Sequence, residues 1–137
     1  MQPYEYFEHT ADIGLEARGK TLAEAFANAA AGLVDLLVER EGVGAEETRE
    51  IRLAGEGYED LLVEWLNELL FLFDSEGFVA VEFEIDRLSE RELEARVKGE
   101  VFDPRRHRAR RGVKAATYHQ VSVAKEDGYR VRVILDV

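Results

Sequence analysis

The chain has 137 residues, of which 46% are apolar and 34% charged, the balance of one globular domain rather than of a disordered segment. Its formal net charge of −11 argues against a non-specific coat for nucleic acid. The absence of cysteine excludes disulfides, thiol nucleophiles and thiolate metal sites. No apolar run reaches the roughly 18 residues of a membrane span, and Met1-Gln2-Pro3-Tyr4-Glu5 lacks the basic region and apolar core of a secretion signal. A cytoplasmic protein is expected. The charge is uneven: residues 101–137 carry nine Lys/Arg against four Asp/Glu, a net +5, which leaves −16 on residues 1–100.

Pro3 ahead of Tyr4, Tyr6 and Phe7 predicts a short edge strand. After Glu8-His9-Thr10-Ala11-Asp12 the pattern alternates, with Ile13, Leu15 and Ala17 on one face, as in a half-buried strand. Thr21 and Glu24 form a capping-box pattern. Leu22, Phe26, Ala29, Leu33 and Leu36/Leu37 then recur at helical spacing, and the alanines between them favour helix and close packing. A strand is predicted around Ile51 and Leu53. A strongly apolar helix follows over Tyr58 to Asp74, with Glu59 and Asp60 at its positive end and Gly77 placed to end it.

Four strands follow: Phe78 to Ile85, Leu93 to Val101, Val113 to Ala124 and Tyr129 to Val137. Asp127-Gly128 marks a hairpin between the last two. The order ββαβαββββ predicts a single α+β domain over residues 1–137, its sheet or sheets mostly antiparallel, with two helices packed on one face.

The candidate chemistry is sparse. There is no phosphate-binding glycine loop, no nucleophile elbow and no histidine pair at helical metal-ligand spacing. Asp12 reads either as a turn residue bonding local backbone or as a ligand for a hard cation. Asp136 falls on the strand face shared by Arg130, Arg132 and Ile134. Val137 follows at once, so two anionic groups lie within a few ångströms. Solvent or a bound cation would relieve their repulsion. His119, in Val113-Lys114-Ala115-Ala116-Thr117-Tyr118-His119, is either a structural residue near a strand end, with Tyr118 in the core, or the best general base in the chain. Arg105-Arg106-His107-Arg108-Ala109-Arg110-Arg111 reads as a solvated loop or as an oxyanion contact. It lacks the interleaved aromatics of a single-strand binder.

Three segments together resemble the archease family. Tyr4-Glu5-Tyr6-Phe7-Glu8-His9-Thr10-Ala11-Asp12-Ile13-Gly14 is similar to its N-terminal signature, and Thr21-Leu22-Ala23-Glu24-Ala25-Phe26 follows at the family's spacing. Lys114-Ala115-Ala116-Thr117-Tyr118-His119 is similar to its second signature, with Ala116 where a larger aliphatic residue is more common. Ile134-Leu135-Asp136-Val137 is similar to its close.

The resemblance implies a strand-helix-strand-strand module with a larger sheet. It implies a protein that is not itself an enzyme, but an activator of the tRNA-splicing RNA ligase. Such a protein promotes guanylylation and turnover of the ligase and broadens its nucleotide use. Some relatives are proposed chaperones of an RNA-modifying tRNA methyltransferase. It further implies a divalent-metal site, commonly calcium with Mg²⁺ or Mn²⁺ as alternatives, whose ligands are Asp12, Asp136 and the terminal carboxylate of Val137. Beyond what the resemblance implies, His9 and His119 are read as groups that orient those ligands. Two other classes stay open: a metal-dependent hydrolase using Asp12, Asp136 and His119, and a binding module whose Arg105–Arg111 loop contacts RNA or an acidic partner.

Overall fold

A computed structural model of the chain describes residues 2–9 and 12–137, and of His9 the backbone alone. Strands Tyr4–His9 (β1) and Asp12–Gly19 (β2) pair antiparallel. Thr21 then caps helix Leu22–Leu37 (α1): its side-chain oxygen accepts from the Glu24 N–H at 3.1 Å. The reciprocal arm of the capping box is displaced by one residue, because the Glu24 carboxylate accepts from the Lys20 N–H at 3.0 Å. A short 3-10 turn at Arg40–Gly42 leads to strand Glu47–Ala54 (β3).

Helix Tyr58–Glu76 (α2) stops at Gly77, whose φ of +70° is the left-handed conformation that glycine adopts without steric cost. Strands Phe78–Leu88 (β4), Glu92–Val101 (β5), Ala115–Lys125 (β6) and Tyr129–Asp136 (β7) complete the chain. The hairpin joining β6 and β7 turns through Asp127 and Gly128, both at positive φ. Among the described residues no helix is long and apolar enough to cross a membrane.

The fold is α+β, as expected, and its strands divide into two antiparallel sheets. One has the order β1-β2-β7-β6 and the other β3-β5-β4. In the first, Leu15, Ala17, Val131, Val133 and Leu135 share the buried face. Glu16, Arg18, Arg130 and Arg132 occupy the opposite face, as the period of two requires.

Both helices fill the interior. Phe26, Ala29, Ala30 and Leu33 of α1 have no exposed surface, and the alanines let the helix approach closely. Trp65, at the centre of α2, is fully buried. Its indole N–H donates to the Phe26 carbonyl at 3.0 Å, and its ring meets Phe83 of β4 edge-on at 6.4 Å. One side chain therefore ties α2 to α1 and to the three-stranded sheet, and burying a ring of this size stabilises by about 2–3 kcal/mol.

Candidate functional site

Ile13 pairs with Leu135 across β2 and β7. One step further in that register, Asp12 stands opposite Asp136. Asp12 belongs to the parity of Gly14 and Glu16, and Asp136 to that of Arg132 and Ile134, so both project from the face away from the helices. Directly opposed residues of an antiparallel pair have Cβ atoms about 5 Å apart. Asp136 also pairs with Ala115 on β6, and its carbonyl accepts from the Lys114 N–H at 2.7 Å. Val137 follows directly. The two candidate side-chain ligands, from opposite ends of the sequence, are thus brought together, with the start of the second signature strand beside them.

Among the described residues no group of three or more His, Cys, Asp and Glu side chains could hold a metal ion. Asp12 and Asp136 therefore belong to no such group of three. The donors present are all hard oxygens and suit Ca²⁺ or Mg²⁺. Thr10, Ala11 and the side chain of His9 lie outside the described residues. His119 is exposed, next to Gln120, which takes a positive φ of 54° at an irregularity in the β6–β7 register between Thr117 and Ser122.

The layer beneath the carboxylates explains other signature residues. Phe7 pairs with Gly14, and a Cβ on Gly14 would fall 2.1 Å from the Phe7 ring. Only glycine lets the ring lie flat on the strand. The Arg132 guanidinium covers the ring at 4.3 Å, and Glu16 holds Arg132 at 3.3 Å and Arg18 at 3.3 Å.

Two readings of the sequence need correction. Tyr118 is not in the core; it is 54% exposed. Its hydroxyl lies 2.8 Å from Asp60 and 2.9 Å from Glu64, both on α2. Loss of solvent and these two carboxylates push the phenol well above its ordinary range. The Arg105–Arg111 run is not simply a solvated loop; His107 within it is buried, 3% exposed. Its Nδ1 accepts from the Asp103 N–H at 2.8 Å, so its proton sits on Nε2, 2.6 Å from Glu100. The Gly44 N–H, with His107 and Arg106, holds the Glu100 carboxyl below the usual carboxylate range.

Sequence reasoning also missed Asn67. Its side-chain amide donates to the Ala116 carbonyl at 3.1 Å and accepts from the Ala116 N–H at 2.8 Å. It acts as a one-residue strand on the open edge of β6. The signal was available, since Asn67 is the one uncharged polar residue in the apolar run from Leu61 to Phe73.

The comparisons with known proteins agree with this architecture. The Archease protein family (MTH1598/TM1083) matches residues 4–137. An archease of Saccharolobus islandicus is 44% identical over 140 residues, covering 100% of both chains. That of Sulfurisphaera tokodaii is 39% identical over 133 residues, covering 96% of this chain and 95% of the relative. The solution structure of protein 1598 from Methanobacterium thermoautotrophicum superimposes with a TM-score of 0.82 at 35% identity, covering 100% of each chain. The crystal structure of a Thermotoga maritima archease, described as a possible chaperone, gives 0.62 at 25% identity, covering 96% of this chain and 94% of that one. With the whole length matched in sequence and fold, and with strands of both signature segments flanking the same end of β7, the chain belongs to the archease family.

Proposed function

We propose that this chain is a metal-binding protein cofactor of the tRNA-splicing RNA ligase, promoting its guanylylation and turnover and broadening its nucleotide use. The observation that supports the reading is the β2–β7 register, in which Asp12 and Asp136 come directly after the Ile13–Leu135 pair, with Val137 next in the chain. A divalent cation held between two carboxylates so placed takes oxygens from both strands. Bound Ca²⁺, Mg²⁺ or Mn²⁺ would supply a positive centre for phosphate or carboxylate oxygens. Because no third Asp, Glu, His or Cys joins the pair among the described residues, positions would stay open for oxygens of the partner or its nucleotide. The acidic balance of residues 1–100 suits docking on a basic, RNA-binding enzyme.

The test is guanylylation of the ligase with and without this protein. Wild type is expected to stimulate it, and Asp12→Ala and Asp136→Ala are each expected to abolish the stimulation. Full stimulation by either variant would overturn the metal-site mechanism.

A chaperone reading is favoured by the description of the Thermotoga maritima relative as a possible chaperone and by Phe71, 59% exposed on α2; its proposed client is an RNA-modifying tRNA methyltransferase. It predicts that aggregation of such an enzyme is suppressed equally by wild type and by Asp136→Ala. Suppression by neither would remove it.

A further inference from the structure

The segment from Asp103 to Lys114 is a strap fixed at many points. Asp103 receives the Arg106 and His107 N–H groups on its carbonyl at 2.9 and 2.7 Å. The buried His107–Glu100 contact pins the middle. Ala109 bridges to Val38, Arg108 accepts from the Glu39 N–H at 2.9 Å, and the Arg110 and Arg111 N–H groups donate to Leu37 and Leu36 at 2.8 and 3.0 Å. The strap thus satisfies carbonyls that the C-terminus of α1 would otherwise leave open. Val113 is buried, and Lys114 delivers the chain to Asp136.

Its cations divide into two sets. Arg105 pairs with Asp103, Arg106 with Glu100 and Asp103, and Arg110 with Asp35. Arg108, Arg111 and Lys114 are exposed, and among the described residues no hydrogen bond or ion pair holds their side chains. In a chain with 29 acidic and 18 basic residues, three neighbouring cations without a carboxylate are cations turned outward.

We infer that this strap binds the phosphate backbone of a folded RNA, through Arg108, Arg111 and Lys114. Three features favour RNA over an acidic protein. Among the described residues the exposed large apolar ones are Tyr6, Phe71, Val101 and Tyr118, none of them on the strap, whereas a stable protein interface needs an apolar or aromatic centre. Phosphodiester charge is continuous along the strand, so fixed cations find partners without a matched pattern. Two of the three are arginines, whose planar forks suit phosphate oxygens. The absence of aromatics predicts contact with the backbone and not with stacked bases.

The experiment is fluorescence anisotropy of the full chain with a labelled RNA hairpin, titrated across potassium chloride concentrations in chelator. Three phosphate contacts predict a slope of log K against log salt of about −2 to −3. Two hairpins of unrelated sequence should bind equally. Arg108→Ala/Arg111→Ala should reduce the slope by about 2, and Arg108→Lys/Arg111→Lys should retain it. Neither side chain holds the fold together, so the melting temperature should not change. No measurable RNA binding by wild type, an unchanged slope in the alanine variant, or stronger binding to anionic lipid vesicles or to a polyglutamate peptide at equal ionic strength would overturn the inference.

Discussion

Removing the Asn67 side chain should loosen the edge strand that carries the second signature. Asn67→Ala deletes two hydrogen bonds at 3.1 and 2.8 Å and strands the N–H and carbonyl of Ala116, a residue only 4% exposed. Each bond contributes about 1 kcal/mol net, and a polar group left without a partner costs more, so the loss should be about 2–3 kcal/mol. For a chain of this length that is a fall in Tm of about 7–10 °C, read by calorimetry. Hydrogen exchange should show the Ala116 amide losing protection while the Val133 and Leu135 amides keep theirs.

Asn67→Asp separates the two bonds. An ionised Asp still accepts from the Ala116 N–H but faces the Ala116 carbonyl with no proton to give. Its folded pKa is therefore raised. The variant should match wild type below about pH 4, where the free carboxyl is protonated, and lose stability as the pH rises through the raised value. A loss below about 0.5 kcal/mol for Asn67→Ala, or no pH dependence in Asn67→Asp relative to wild type, would refute the reasoning.

Glu100 has a folded pKa below its ordinary value, so its contribution is present at neutral pH and lost as the pH falls through that lowered value. Glu100→Gln should lower the urea midpoint at pH 7 and flatten its decline below about pH 4.5; an unchanged acid limb would count against the strap's anchor. Gly99 of β5 pairs with Ala80 of β4 beside an irregularity in their register, and a Cβ there would sit 1.7 Å from the Val79 carbonyl oxygen. Gly99→Ala must push the strands apart, at a cost of about 3 kcal/mol and about 10 °C in Tm, and a neutral result would contradict the register of that pair.

Much of this architecture is legible in local pattern. Thr21 with Glu24, the α1 apolar stripe, Gly77 and Asp127-Gly128 each act over a few residues, and each appears where expected. The face of Asp136 was legible too, because alternation from Val131 fixes it. Pairings between distant segments were not. Nothing local in Asp12 or Asp136 says that β2 and β7 are neighbours; only the resemblance brought them together. The division into two sheets was hidden for the same reason, since strand patterning does not name partners. Tyr118 was misplaced because an irregularity follows it and its hydroxyl finds acids on α2. The buried His107 was hidden inside a run of arginines that local composition marks as solvated, and its partner, Glu100, lies in the preceding strand.

The proposed metal site is tested most directly by calorimetric titration of Ca²⁺ into the metal-free protein. The geometry predicts one ion bound per chain by wild type, and binding lost in both Asp12→Asn and Asp136→Asn, which keep the shape and remove one charge each. No binding by wild type, or equal binding by either variant, would contradict it.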